Sequence, residues 1–261
     1  TPPARWKRFC ETGDVDLAHE IPGHARFRMN IFRNNWGTAT VLRQIPSKVA
    51  SIDELNLPQC LKEVAEYNHG LVLVTGPTGS GKSTSLAAIL NHINENFQKQ
   101  IITIEDPVEF THTDKNSTFL HREVTEHTHS FGEGLRGAMR CDPDVILIGE
   151  MRDMETIRLA LNCASMGMLV FATLHTNNAT KTVDRIIDAF PSDEQNMVRI
   201  MLAESLTAII SQLLCRKVSG GRVAVHEILL EHSSLANSIR THSLSNIQNI
   251  IDQNRERGMI S

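Results

Sequence analysis

The chain has 261 residues, which at about 150 residues per domain allows one large domain, or one domain and part of another. Hydrophobic residues make up 41% and charged residues 21% of the chain, which excludes a disordered tail, a collagen-like repeat and a coiled-coil rod. The net charge of −4 at pH 7 is not that of a dedicated nucleic-acid-binding protein, so a polyanion would need a local basic patch.

The sequence also bears on compartment and on metal content. No apolar run reaches the roughly 18 residues that span a bilayer, and the first residues lack the hydrophobic region of a signal peptide. We therefore expect a cytoplasmic chain without direct membrane insertion. The five cysteines form no Cys-x-x-Cys pair, which predicts reduced, mostly buried thiols and no zinc. Since the chain does not begin with Met, further N-terminal sequence is expected.

The first predicted element is a β-hairpin at residues 25–45. Phe27, Met29 and Ile31 alternate with polar residues, and the turn residues 34–37 precede a second β-rich run. Residues 46–58 are polar, contain two prolines and are interpreted as a linker. The sequence therefore predicts a partial domain at residues 1–57 and a second domain at residues 58–261.

The second domain alternates apolar β-rich runs with helical patterns, which predicts an α/β fold. The predicted strands are residues 71–75, 100–105, 144–148 and 169–174. These runs are apolar on both faces, as in a parallel sheet covered by helices on two sides. Apolar positions at helical spacing predict that residues 193–214 and 233–259 are helical, so that the C-terminal third is mostly helix apart from residues 222–230.

A phosphate-binding loop is predicted between the first of these strands and the next helix. Residues 76–83 fit Gly-x-x-x-x-Gly-Lys-Ser, in which backbone N–H groups and a helix N-terminus cradle phosphates. In such loops the lysine, here Lys82, reaches the β- and γ-phosphates, and the hydroxyl of Ser83 ligates Mg²⁺. The predicted nucleotide-binding residues are Gly76, Pro77, Thr78, Gly79, Ser80, Gly81, Lys82, Ser83 and Thr84.

Acidic residues follow two other predicted strands. Glu105, Asp106 and Glu109 follow one strand, and Glu150 and Asp153 follow another, so both groups are expected at the carboxyl edge of the sheet where phosphate sites lie. A nucleoside triphosphatase needs acids to hold Mg²⁺ through water and to orient the attacking water. Capping of the following helices is the structural alternative for any one of them.

Histidines allow two further readings. His175 ends the fourth predicted strand, where it would either sense a γ-phosphate or make a structural hydrogen bond. The pair His127 and His129 lacks nearby cysteines or paired acids, so a metal is not expected there.

Four strand-end segments together resemble the secretion ATPase superfamily, most closely the type IV pilus retraction ATPases of the PilT family. They are GPTGSGKST at 76–84, ITIEDPVE at 102–109, VILIGEMRD at 145–153 and TLHTN at 173–177. The segments HARFRMNIF, RQIPSK, DRIIDAFP and AESLTAIISQLL are also similar to that family, so the resemblance covers nearly the whole chain.

The resemblance implies a RecA-like P-loop core with C-terminal helices, preceded by the end of a PAS-like α+β domain. It implies Glu109 as catalytic base with support from Glu105 and Asp106, Glu150 as the acid that holds Mg²⁺ through water, and His175 as a signature residue between core and nucleotide. It also implies that Arg28 and Arg43 on the hairpin contact the γ-phosphate.

The same resemblance implies a homo-hexamer that hydrolyses ATP for pilus retraction and twitching motility, acting at the inner membrane through a platform protein. The short segment 214–221 has no paired cysteines, unlike the zinc module of pilus assembly and type II secretion ATPases. Residues 140–143, 164–168 and 238–245 depart from the family pattern. The open alternatives are a secretion or assembly ATPase, an accessory nucleotide-binding subunit, and a nucleic-acid translocase, which the acidic charge and 5% aromatic content disfavour.

Overall fold

The computed structural model describes residues 3–22, 24–46 and 48–261, which contain one three-stranded and one seven-stranded sheet. Residues 1, 2, 23 and 47 fall in the predicted N-terminal domain and linker and lie outside the described part. The α/β core with a mostly parallel sheet, preceded by a smaller antiparallel unit, confirms the predicted fold class.

The N-terminal unit is a helix packed on an antiparallel sheet. Its elements are α1 (Pro3–Thr12), β1 (Asp14–Ile21), β2 (Ala25–Asn34) and β3 (Gly37–Ile45). The predicted hairpin is confirmed as β2 and β3, whereas β1, which pairs with β2, was not predicted. Phe9, Val15 and Leu17 form a small core of their own, which leaves the side chains of the outer strand β3 largely exposed.

The core sheet has seven strands in the order β10-β9-β4-β8-β7-β5-β6. Its strands are β4 (Gly70–Thr75), β5 (Gln100–Glu105), β6 (Thr118–Glu123), β7 (Val145–Ile148), β8 (Leu169–Leu174), β9 (Leu206–Arg216) and β10 (Arg222–Leu230). All neighbours are parallel except β9 and β10. The four strands predicted from apolar runs are confirmed, and β4, β7 and β8 are buried at every position.

Helices cover the core sheet and pack on one another. They are α2 (Cys60–Ala65), α3 (Lys82–Asn96), α4 (Phe131–Ala138), α5 (Met154–Ser165), α6 (Ala179–Ile187), α7 (Gln195–Ser205), α8 (Ser233–Arg240) and α9 (Asn246–Gln253), with 3₁₀ turns at Met139–Cys141 and Arg255–Arg257. Within the described ranges, none of these helices combines the length and the apolar character needed to cross a membrane.

The prediction of a helix through residue 214 is wrong. The helix α7 ends at Ser205, and β9 begins at the next residue and pairs with β4. The run from Leu206 to Gln212 is buried throughout. In a segment that is apolar on all sides, periodicity cannot separate a buried strand from a buried helix, and here pairing with β4 decides for the strand.

Two smaller expectations also change. Cys60 and Cys163 are buried, but Cys10, Cys141 and Cys215 are exposed, so the expectation of mostly buried thiols is wrong although all five are free.

The polar segment between the two sheets carries Ile52 and Leu57 into the main core, where they are 2% and 5% exposed. These two side chains anchor the segment to the larger unit.

A buried arginine joins the N-terminal helix to the core. Arg5 of α1 is fully buried, and its guanidinium donates to Asp106 at 3.1 Å, to Glu123 at 3.0 Å and to the carbonyl of Val124 at 2.7 Å. The carboxylate of Glu126 lies 3.5 Å from its Nε. Three acids and one carbonyl therefore share a single buried positive charge.

We predict that Arg5→Ala lowers the free energy of unfolding by about 3 kcal/mol, because it leaves acidic side chains without their buried countercharge. Urea unfolding of the two proteins measures the loss. Arg8→Ala is the matched control, since Arg8 lies on the same helix but is exposed, and within the described ranges its side chain donates only to Thr125, at 3.4 Å. The control should lose less than about 1 kcal/mol. Equal losses in the two variants would contradict this account of Arg5.

Candidate active site

The phosphate loop connects β4 to α3 at the carboxyl edge of the sheet. Gly76, Gly79 and Gly81 all have positive φ, at 141°, 80° and 91°. This conformation suits glycine and not residues with a Cβ atom. A Cβ on Gly76 would also lie 2.2 Å from the backbone oxygen of Gln212. The motif glycines are therefore required by the path of the backbone and by the strand behind the loop.

Lys82, the first residue of α3, is held inside the loop. Its Nζ donates to the carbonyls of Gly76 at 2.7 Å and Pro77 at 3.1 Å. Burial lowers the pKa of Lys82, and the carboxylates of Glu150 and Glu109 oppose that shift. The ammonium group is thus kept beside the loop by backbone oxygens that a phosphate group can replace.

A chain of polar contacts runs from Lys82 to the end of β7. Nζ of Lys82 lies 3.5 Å from Nδ1 of His175, whose Nε2 lies 3.1 Å from a carboxylate oxygen of Glu150. Because an ammonium group only donates, Nδ1 accepts and Nε2 carries the proton that is donated to Glu150. Arg152 donates to the other oxygen of Glu150 at 2.6 Å. His175 therefore links the phosphate loop to this acid.

The ionisation of Glu150 follows from these neighbours. Burial favours the neutral form, but the hydrogen bond and charge of Arg152, together with the charge of Lys82, lower the pKa of Glu150. Asp153, three residues on, instead caps α5 by accepting from the backbone N–H of Thr156 at 2.8 Å. The capping alternative therefore holds for Asp153, while the carboxylate of Glu150 faces His175.

Glu105 ends β5 in a poorly solvated position. Burial raises the pKa of Glu105 to about 7, although the hydroxyl of Thr103 and the backbone N–H of Glu109 partly offset that rise. The backbone of Glu105 lies against Gly149, where an added Cβ would be 3.3 Å from Cα of Glu105. Glu105 and Glu150 thus stand on neighbouring strand ends of one edge.

The N-terminal sheet reaches the segment that follows β5. Arg28 of β2 donates to the carboxylate of Glu109 at 2.9 Å, and Arg26 donates to the carbonyl of Val108 at 3.0 Å. Arg43 stands opposite Arg28 on β3 but is exposed, and makes no ion pair within the described residues. The structure therefore brings Arg28, but not Arg43, to the acidic segment.

The oxygen ligands near the phosphate loop suit Mg²⁺, which needs few ligands from the protein, better than a metal ion that is bound by protein side chains alone. Across the described ranges, no group of three or more His, Cys, Asp or Glu side chains is arranged to hold a metal ion. The hydroxyl of Ser83 at the start of α3 and the carboxylate of Glu150 are oxygen ligands, and Mg²⁺ takes few of these besides phosphates and water. His127 is one of the two histidines that were considered for a metal. Its Nδ1 accepts a hydrogen bond from the backbone N–H of Glu123 at 2.9 Å.

Three residues of the site region were missed by sequence reasoning. Arg152 lies in the segment VILIGEMRD at 145–153. Its position two residues after Glu150 indicates that it can lie near that acid. Arg5 contacts Asp106 across 101 positions, and Gln212 lies in the segment that was predicted to be helical. No local pattern marks either of these two residues.

Comparison with known proteins gives a consistent assignment. Residues 7–260 match the family model described as "Type II/IV secretion system protein". The chain is 51% identical over 97% of its length to the type IV pilus retraction ATPase PilT of Pseudomonas aeruginosa, covering 74% of that protein. It is 53% identical to a twitching motility protein of Neisseria gonorrhoeae, over 97% of this chain and 68% of that protein.

A solved structure agrees with these relatives. The crystal structure of the pilus retraction motor PilT with bound ADP matches with a TM-score of 0.89 and 41% identity, covering all of this chain and 79% of that one. Similarity at this level extends over both the N-terminal unit and the core.

We predict that Glu105 makes stability depend on pH in the chain without nucleotide or metal. Its pKa rises from 4.5 in the unfolded chain to about 7 in the folded one, so the folded state binds more protons between these values. The unfolding free energy of the wild type, relative to Glu105→Gln, should therefore fall by on the order of 3 kcal/mol from pH 4.5 to pH 8, as the pH passes through the folded pKa, and stay level above pH 8.

Chemical denaturation across this pH range measures the difference. Glu204→Gln, which changes an exposed carboxylate on α7, should show no such fall. A constant difference between Glu105→Gln and the wild type would refute the raised pKa.

Proposed function

This chain belongs to the type II/IV secretion system protein family, and we propose that it is a motor ATPase of the PilT type, which hydrolyses ATP to drive type IV pilus retraction. One observation carries the proposal. The phosphate loop, Glu109, Glu150 and His175 converge at one sheet edge, in a chain closely similar to a pilus retraction ATPase. The ADP bound to the related motor PilT supports a nucleotide at this edge.

The phosphate loop binds the nucleotide in this proposal. The backbone N–H groups of residues 76–84 and the N-terminus of α3 hold the phosphates, as helix termini do for anions. Lys82 exchanges the carbonyls of Gly76 and Pro77 for phosphate oxygens. The exchange replaces weak neutral acceptors by charged ones, so that it favours binding.

Ser83 and Glu150 would hold Mg²⁺, Ser83 directly and Glu150 through water. The ion neutralises charge on the phosphates when it is bound. His175 donates to Glu150 and fixes the position of its carboxylate. His175 also lies beside Lys82, so a change at the phosphates is transmitted to Glu150 through one side chain.

Glu109 orients and deprotonates the attacking water, with Glu105 and Asp106 in support. In the structure its carboxylate is paired with Arg28, and both side chains keep partial solvent access, at 25% and 34% exposure. The γ-phosphate of ATP offers Arg28 a more highly charged partner, so that ATP releases Glu109 and places a positive charge where the transition state gains negative charge. Arg43 joins Arg28 after the N-terminal sheet closes on the nucleotide.

Turnover then moves the helix and sheet of the N-terminal domain, residues 1–57, relative to the core, residues 58–261, while Ile52 and Leu57 keep the linker attached to the core. Six copies form a ring, and the movement is passed to a platform protein of the inner membrane, with the ring itself in the cytoplasm. The contacts of Arg5 on α1, and of Arg26 and Arg28 on β2, with residues 106–109 support this coupling, since they join the N-terminal unit to the segment that carries the proposed base.

An accessory subunit that binds nucleotide with little turnover is the second candidate. The pairing of Glu109 with Arg28 favours it, because the guanidinium occupies the carboxylate oxygen that would otherwise accept from the attacking water. Measured turnover separates the two candidates.

We predict that Glu109→Gln lowers kcat for ATP hydrolysis at least 100-fold, since the amide cannot accept the proton of water. The Kd for MgADP should change less than threefold, because Glu109 lies outside the phosphate loop. A coupled ATPase assay and calorimetry give the two values.

Glu63→Gln, which alters an exposed carboxylate on α2, is the control and should keep the wild-type rate. If Glu109→Gln hydrolyses ATP within a few-fold of the wild type, Glu109 is not the base. If the wild type itself binds MgADP but hydrolyses ATP no faster than a sample without protein, the accessory function is correct.

A further inference from the structure

The back of the phosphate loop rests on a buried glutamine of β9. Gln212 is 3% exposed, and its Nε2 donates to the carbonyl of Ser80 at 2.7 Å. Its Oε1 accepts from the hydroxyl of Ser85 at 2.8 Å and lies 3.3 Å from Nε2 of His226. One side chain therefore contacts the loop, the first turn of α3 and the neighbouring strand β10.

The contacts determine the orientation of the amide. The carbonyl of Ser80 can only accept, so the amide nitrogen must face it and the amide oxygen must face Ser85 and His226. Since that oxygen in turn only accepts, Ser85 donates its hydroxyl proton and His226 carries its proton on Nε2. Burial lowers the pKa of His226, which agrees with a neutral ring. All three polar groups around the amide are then paired.

The strand that carries Gln212 is fixed to the root of the loop. Ser211 pairs with Thr75, the last residue of β4, and their hydroxyl groups are 3.0 Å apart. Gln212 follows Ser211 directly, so its distance from the loop is set by the register of β4 and β9. The position of the amide does not depend on a mobile segment.

Both glycines that the phosphate-loop pattern specifies lie against this residue. An added Cβ would be 2.2 Å from the backbone oxygen of Gln212 at Gly76, and 2.8 Å from its Nε2 at Gly81. The backbone of the loop thus approaches Gln212 more closely than any residue with a side chain would allow.

The hydrogen bond to Ser80 has a direct consequence for the next peptide N–H. In a planar trans peptide the carbonyl of one residue and the N–H of the following residue point in opposite directions. When the carbonyl of Ser80 points back to Gln212, the N–H of Gly81 must point away from β9. Loops of this type present such N–H groups to bound phosphates.

We propose that Gln212 is a positioning residue for nucleotide binding, which aims the N–H of Gly81 by holding the carbonyl of Ser80. The inference rests on the proposed function only in that the loop binds a nucleotide. Gln212 touches no reacting atom, so its effect is on affinity. The loop binds the bound nucleotide and the transition state equally strongly. Loss of its alignment should therefore raise KM and leave kcat little changed.

The test compares MgADP affinity and steady-state hydrolysis in the wild type and Gln212→Met, a variant of similar volume without polar atoms. We expect an approximately tenfold rise in Kd and KM, the loss typical of one buried hydrogen bond, and a kcat within threefold. Gln212→Glu should bind MgADP more weakly still, because it offers Ser80 no donor and adds a negative charge behind the phosphates.

Thr207→Val is the matched control for a general effect on β9. Thr207 is buried on the same strand and donates to the carbonyl of Leu71 at 3.1 Å, far along β9 from the loop. It should lose stability but keep the wild-type Kd. Unchanged Kd and KM in a folded Gln212→Met, or an equal rise in Thr207→Val, would overturn the inference. Failure of the wild type to bind MgADP would instead overturn the proposed function.

Discussion

Parallel pairing of the core strands is the constraint on which the site depends. Strands β4, β8, β7 and β5 are neighbours in one sheet, so that their carboxyl ends lie along a single edge. Each of these strands carries one part of the site at or just after its carboxyl end: the phosphate loop, His175, Glu150 and Glu105, respectively. A change of strand order would separate the groups even if each local segment kept its conformation. The chemistry therefore follows from sheet topology as much as from the motif.

The N-terminal unit adds positive charge to this edge and is held there by arginines. Arg5, Arg26 and Arg28 contact Asp106, the carbonyl of Val108, and Glu109, which are successive points of one short segment. The buried contact of Arg5 is the strongest candidate for a fixed attachment, whereas Arg28 is partly exposed and can change partners. A fixed attachment and an exchangeable one therefore join the N-terminal unit to residues 106–109.

The sequence predicted those features of the site that are encoded locally. A complete phosphate-loop pattern and apolar runs with acids at their ends identified four strands and the groups that follow them. Features made by long-range contacts are not predicted. The part of β9 that is buried throughout, residues 206–212, has an apolar pattern that also fits a helix, and Gln212 lies in that part. Arg5 meets its acids across more than 100 positions, and no spacing rule connects residues so far apart. The family resemblance implies that Arg43 and Arg28 act together, but of these two arginines the structure brings Arg28, and not Arg43, to the acidic segment.

The proposed function is that of an ATPase motor that works as an assembled ring. The most direct measurement is the specific ATPase activity of the wild-type chain as a function of its concentration, with the oligomeric state followed in parallel by light scattering. The proposed ring predicts a steep rise in activity to a plateau that is reached where hexamers form, because turnover is proposed to depend on coupling between the subunits. An appreciable activity that does not change with concentration, from a chain that stays monomeric throughout, would contradict it.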